Sequence, residues 1–325
     1  MRILLSPWRG RCTLLLICLL FVGCTDDEAS SELPPGADAK PSITTTIPPL
    51  GMILRPLVEG RAEVRVLLDP GQSPHTYEPT PSAVRELSGS LMLVHADEHL
   101  DGWVASLPAK QTVALVPLLP EAQRLQMPPA ASKDHAHAEE SNGGHEHGEV
   151  DPHFWTSPRA VHSLLPALVD TLCTADPGGC ATYQMNADSL GTQLEALDVR
   201  ISTMLKPVEG MHVGLSQPFF RYFLQRYGLH VAEIIEPRPA KEPSPQQLSR
   251  QIRQLQGADV RVIFTQAQLP DRSARAVADA AEIATVNLDP IGGVEGRASY
   301  AELLEYNATQ ILNALGPEPT SSPSR

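Results

Sequence analysis

Apolar residues along the chain fall into two alternating patterns. Short β-branched or aliphatic runs stand at residues 42–47, 64–67, 91–94 and 112–116, then again at 211–215, 230–235, 260–264 and 284–288. Runs of this length, bounded by Gly, Pro, Asn or Asp, read as strands. Helical stretches separate them, at 48–60, 82–89, 217–228, 245–257, 271–283 and 299–315. Ser157-Pro158 opens one more, with a capping Ser ahead of a Pro at the first helical position. The longest helical pattern covers 181–206. Its Leu190, Leu194, Leu197, Ile201 and Leu205 share one helix face, and no strand interrupts it.

Strands alternating with helices predict parallel sheets. The expected fold class is α/β: two parallel-sheet lobes, residues 41–172 and 207–315, joined by a long rigid spine helix at 181–206. In such sheets a ligand sits where loops leave the strand ends. His75 lies in a loop of this kind, at 69–79, where a solvent-facing turn His is the competing reading.

The chain ends read differently. Arg2, Arg9 and Arg11 precede a short apolar run at 12–22, so residues 1–23 read as a signal peptide. The segment Leu20-Phe21-Val22-Gly23-Cys24 resembles a bacterial lipobox, in which the Cys is lipidated and becomes the new N-terminus. Phe21 stands where Leu is usual. Residues 24–40, rich in Asp, Glu, Ser and Pro, read as a lipidated tether, and 316–325 as a disordered tail. The expectation is an exported lipoprotein, periplasmic or on the cell surface, anchored to a membrane.

Charge narrows the partners. The formal net charge is −13, and losing the leader removes three Arg and no acid. An acidic envelope protein repels phosphates, so no nucleic-acid partner is expected. Two of the five Cys remain beyond residue 24, Cys173 and Cys180, flanking the turn-forming Asp176-Pro177-Gly178-Gly179. In an oxidising compartment this spacing suits a disulfide across the turn, and two thiolates fall short of a zinc set.

The chemistry concentrates at residues 134–155, which hold five of the eleven histidines: His135, His137, His145, His147 and His153. Residues 134–149 are polar and acidic with no apolar period, and read as a mobile loop. Residues 151–155, Asp-Pro-His-Phe-Trp, read as packed. A His/Glu-rich tract beside one fixed His points to metal handling, because neutral imidazole ligates zinc and related ions. A solvated acidic linker with incidental histidines is the competing reading.

These pieces together resemble the zinc/manganese-type solute-binding lipoproteins of bacterial ABC importers, cluster A-I, nearest the zinc-uptake branch. The resemblance rests on Pro70-Gly-Gln-Ser-Pro-His75-Thr-Tyr-Glu-Pro-Thr80, the His-rich loop, Asp151-Pro-His153-Phe-Trp155, Tyr222-Phe-Leu-Gln-Arg-Tyr-Gly-Leu229 and Leu288-Asp289-Pro290. They fall in family order across most of residues 41–315. The resemblance implies metal bound in a cleft between two lobes, with His75 and His153 as ligands from the first and Asp289 from the second. Family zinc members place a third His, and manganese members a Glu, where this chain has Gln217. A neutral amide oxygen is a weaker donor to zinc, so Gln217 enters the ligand set only as the residue in that position. His135, His137, His145 and His147 are expected to form an auxiliary metal-binding loop, and because that loop leads directly into His153, its histidines are an alternative source of the missing ligand. His212, five residues upstream of Gln217, reads as structural or surface.

The implied function is capture of Zn2+ in the envelope and delivery to an ABC permease and its ATPase, by a monomer without catalysis. An envelope reservoir or metallochaperone without a permease uses the same ligands, and Mn2+ or another divalent ion remains open as cargo. A zinc hydrolase is a third class. Three protein ligands with one open position resemble a catalytic site, yet there is no H-E-x-x-H helix and no evident general base.

Overall fold

The computed structural model describes residues 40–128, 149–237 and 243–316. Ser42-Ile-Thr-Thr is rich in branched side chains that favour extended backbone, and it forms β1 (Ser42–Thr45), buried at every position. Pro48 and Pro49 then open α1 (Pro48–Val58), where the missing N–H groups cost nothing. β2 (Glu63–Val66), α2 (Pro81–Leu87), β3 (Ser90–His95), the one-turn α3 (Glu98–Asp101) and β4 (Thr112–Ala114) follow. The sheet order is β2-β1-β3-β4, with every pairing parallel.

Two helices come next. Ser157 Oγ accepts the Ala160 N–H at 3.4 Å and caps α4 (Pro158–Ala175). The long α5 (Cys180–Leu205) follows. The predicted Leu/Ile stripe of α5 is buried, while Met185 and Val199 on other faces are exposed. The Cys173–Cys180 disulfide closes the α4–α5 turn, with its sulfurs 2.00 Å apart.

The second half repeats the first. It runs β5 (His212–Leu215), α6 (Arg221–Arg226), β6 (His230–Ile234), α7 (Pro245–Gly257), β7 (Val262–Gln266), α8 (Arg272–Ala281), β8 (Ala284–Leu288) and α9 (Tyr300–Leu315). Its order, β6-β5-β7-β8, copies the first sheet and is again parallel. In each sheet the chain leaves its first strand to one side and returns on the other. The switch points lie between β1 and β3 and between β5 and β7, where open α/β sheets bind ligands.

One apolar core runs through both halves, including Ile43 and Leu54, the α5 residues Leu194 and Ile201, and Phe223 and Leu304. Each buried side chain of this size contributes roughly 1.5–3 kcal/mol. The spine therefore buries its stripe against both lobes. Among the described residues no helix is long and apolar enough to cross a membrane.

Several elements are shorter than the sequence expectation, and two of the differences have a clear local cause. The helix expected over 217–228 is only Arg221–Arg226. Pro218 disfavours helical backbone at the residue before it, so Gln217 lies in the loop after β5 and not at a helix start. The stop is as read: Gly228, at φ +71°, follows the last turn. The strand expected at 260–264 begins two residues later, because the Val260 N–H is bonded back to Leu255 O at 3.1 Å across the end of α7.

Candidate metal centre

His75 sits in the loop after β2, which is fastened to the residues following α3. The Trp103 indole N–H donates to Pro74 O at 3.0 Å. Tyr77 packs on Trp103 with ring centres 4.7 Å apart, and its hydroxyl donates to Leu67 O at 3.2 Å. The loop is thus held although it has no regular structure.

His153 is held more firmly. Asp151, with no solvent exposure, accepts the His153 backbone N–H at 3.1 Å and faces its Nδ1 at 2.8 Å through the same Oδ1. Its Oδ2 accepts from Arg221 at 3.0 Å, and the Tyr222 hydroxyl donates to its carbonyl at 3.0 Å. With Nδ1 donating to the carboxylate, Nε2 is left as the ligating nitrogen, the usual arrangement behind a metal-bound His.

The two imidazoles lie with ring centres 6.0 Å apart and planes inclined at 53°. Burial, and then the neighbouring His153, pushes His75 down to about 4, against an opposing pull from the Asp101 carboxylate. His75 is therefore neutral at pH 7, the protonation state a metal requires.

Both rings line a cavity of about 210 Å³. His99 and Glu149 also line it from the first half, and Gln217 and Gln266 from the second. His75 and His99 follow the carboxyl ends of β2 and β3, Gln217 follows that of β5, and Gln266 is the last residue of β7. β5 carries Gln217 close to β7: a Cβ on Gly214 would lie 2.9 Å from Ile263 Cγ1, so only Gly allows that approach.

Gln217 Oε1 accepts from Gln266 Nε2 at 2.9 Å, and Gln217 Nε2 faces Glu236 Oε2 at 3.4 Å. Its amide oxygen is thus directed at Gln266. Asp289 is not among the residues lining the cavity. Its Oδ1 accepts from the N–H groups of Ile291 and Gly292 at 3.0 Å each and from Gln268 at 2.9 Å. Its Oδ2 pairs with Arg297 at 3.2 Å. Among the described residues, no three His, Cys, Asp or Glu side chains stand together as a ready metal cage in this conformation.

Sequence reasoning passed over three residues. Asp151 stands in the Asp-Pro-His motif, and an Asp two residues before a His is within reach of its ring. His99 follows the end of β3, so the strand-end rule that singled out His75 applies to it equally. Glu149 is the last residue of the polar tract 134–149, whose composition gives no sign of a fixed position. His212 is exposed at the amino end of β5, opposite the end that carries Gln217. His135, His137, His145, His147 and Cys24 lie outside the described residues.

Residues 43–314 match the family model described as zinc-uptake complex component A, periplasmic. The high-affinity zinc uptake system protein ZnuA of Yersinia pestis is 27% identical over 295 residues, covering 85% of this chain and 92% of that protein. The zinc-binding lipoprotein AdcA of Streptococcus pneumoniae serotype 4 is 26% identical over 300 residues, 90% of this chain but 58% of AdcA, so this chain spans little more than half of that relative. Among solved structures, the periplasmic zinc-binding protein TroA of Treponema pallidum superposes with a TM-score of 0.70 at 22% identity, over 86% of this chain and all of TroA. A crystal structure of ZnuA gives 0.68 at 24% identity, over 85% of this chain and all of that one. These two establish the shared fold. The chain belongs to the family of periplasmic A components of zinc-uptake complexes.

Proposed function

We propose that this protein captures Zn2+ in the cell envelope, between its two sheets, and hands it to an ABC-type permease and ATPase. The observation that carries this reading is the His75–His153 pair, with rings 6.0 Å apart at one cavity and His153 oriented by a buried carboxylate. Two imidazoles suit zinc better than manganese, which prefers oxygen donors. Asp289 is the carboxylate ligand from the second lobe, reached once its Oδ2 leaves Arg297. Gln217 borders the site without an imidazole to offer.

Cys24 carries a lipid that holds residues 24–40 to a membrane, and the lobes span 41–172 and 207–315 on either side of the spine. His135, His137, His145 and His147 hold additional, weaker ions, because a polar, acidic tract with no apolar period loses conformational entropy when it ligates. No catalytic step is assigned. The protein acts as a monomer, and no nucleic acid is a partner.

Equilibrium competition between the purified mature chain and a chelating dye tests the binding step. One tight Zn2+ per chain, lost in both His75→Ala and His153→Ala, is the expected result. Unaltered tight binding in both variants overturns the assignment. Growth of a deletion strain on zinc-chelated medium, restored by the wild-type gene and not by His153→Ala, tests delivery.

A further inference from the structure

We infer that His99 supplies the third imidazole of the metal site, in the place left by Gln217, with Glu149 orienting it. The inference rests on reading the His75–His153 cavity as the metal site. Three histidines line that cavity among the described residues, and His99 is the one without an assigned role.

Like His153, His99 has a carboxylate beside its Nδ1, at a longer distance and in a more exposed setting. His99 Nδ1 faces Glu149 Oε1 at 3.4 Å, as His153 Nδ1 faces Asp151 Oδ1 at 2.8 Å. A carboxylate on Nδ1 leaves Nε2 for a metal. The acids nearest His99 Nε2, Asp97 and Glu98, stand at 3.9 and 3.8 Å, beyond hydrogen-bond range. That nitrogen is therefore not committed to either of them.

The backbone beneath His99 is fixed. Buried Asp101 accepts from Thr46 Oγ1 at 2.6 Å, from the Ala96 N–H at 3.0 Å and from the Asp97 N–H at 3.0 Å. Asp97 Oδ1 in turn accepts the His99 N–H at 3.0 Å. These bonds tie the turn after β3 to the end of β1, at the first sheet's switch point. The side chain of His99 is 45% exposed and has room to turn. On the opposite wall the Gln217 oxygen is directed at Gln266. With His75, His153 and Asp289, His99 completes the four donors that zinc prefers.

The test uses the purified mature chain loaded with one equivalent of Zn2+. Dye competition gives the affinity, zinc-edge X-ray absorption counts the imidazoles, and circular dichroism checks folding. We expect three imidazoles in the wild type. His99→Ala should reduce the count to two and weaken binding by ~10–100-fold, the cost of a lost orienting partner or more. Glu149→Gln should weaken it by about tenfold with the count unchanged. If His99→Ala keeps wild-type affinity and imidazole count while His75→Ala abolishes binding, the His99 assignment fails and the site stands. If His75→Ala also binds normally, the site itself is wrong.

Discussion

Asp151 holds His153 with one carboxylate oxygen and Arg221 with the other, at 2.8 and 3.0 Å. A single buried carboxylate thus connects a candidate ligand of the first half to α6 of the second. It fixes the tautomer of His153 and sets where its ring stands relative to the far wall of the cavity.

Asp151→Asn should therefore weaken Zn2+ binding by ~10–100-fold while leaving the fold intact. The amide retains an oxygen to accept a bond but loses the charge that makes the imidazole a stronger donor. Dye competition measures this directly. An affinity within about twofold of wild type would show that His153 does not depend on its partner.

His75 should titrate far below an ordinary His. In the metal-free protein, the Cε1 proton shift followed by NMR should give a midpoint near 4. The folded value lies below the unfolded one of ~6.5, so the neutral ring is favoured by folding. This contribution to stability is present in full above ~6.5 and is lost as pH falls through about 4. A His75 midpoint at 6 or above would refute the environment described for it.

The doubly wound fold and its strand ends were legible from the apolar pattern, because the alternation of short aliphatic runs with capped helices is local chemistry. α9 starts after Ser299, where a capping box with Glu302 is written in the sequence, and α7 starts after Ser244 with Gln247 in the same way. The errors came where a tertiary bond or a single Pro overrides the pattern: Pro218 at the start of α6, and the end of α7 that takes the Val260 N–H. The site was half legible. His75 and His153 face one cavity, but only the folded chain reveals that His99 joins them and that Arg297 occupies Asp289.

The α4–α5 turn carries a second test of acid sensitivity, remote from the metal. Asp176 accepts Arg61 through both oxygens at 2.6 Å and the Tyr183 hydroxyl at 2.7 Å. The Arg61 guanidinium, above all through these bonds, holds the Asp176 carboxyl down to about 2. The folded value is below the unfolded one, so the stabilisation is complete above ~4 and disappears as pH falls through about 2. Arg61 is 40% exposed, so the effect is modest. Asp176→Asn should lower the thermal midpoint by a few degrees at pH 7, with the gap from wild type closing toward pH 2. A gap that stays constant across that range would mean that packing, not charge, is what the substitution removes.

Gln217 and His99 approach the cavity from different sheets, so exchanging their roles is a direct test of how many imidazoles the metal takes. Gln217 is only 6% exposed, and Pro218 restricts its backbone, so a His at 217 inherits a held position on the cavity wall. Its cost is the bond from Gln266 to the Gln217 oxygen, about 1 kcal/mol of stability. If His99 already serves as the third imidazole, Gln217→His in the wild type should change Zn2+ affinity by less than about threefold, under ~0.7 kcal/mol. The same substitution on the His99→Ala background should recover at least about tenfold, ~1.4 kcal/mol. That non-additivity is the signature of two residues filling one coordination position. If Gln217→His instead tightens wild type and His99→Ala alike by about tenfold, the two residues act independently. The third position was then empty in the native protein, and the ligand reading must return to the His75–His153 pair alone.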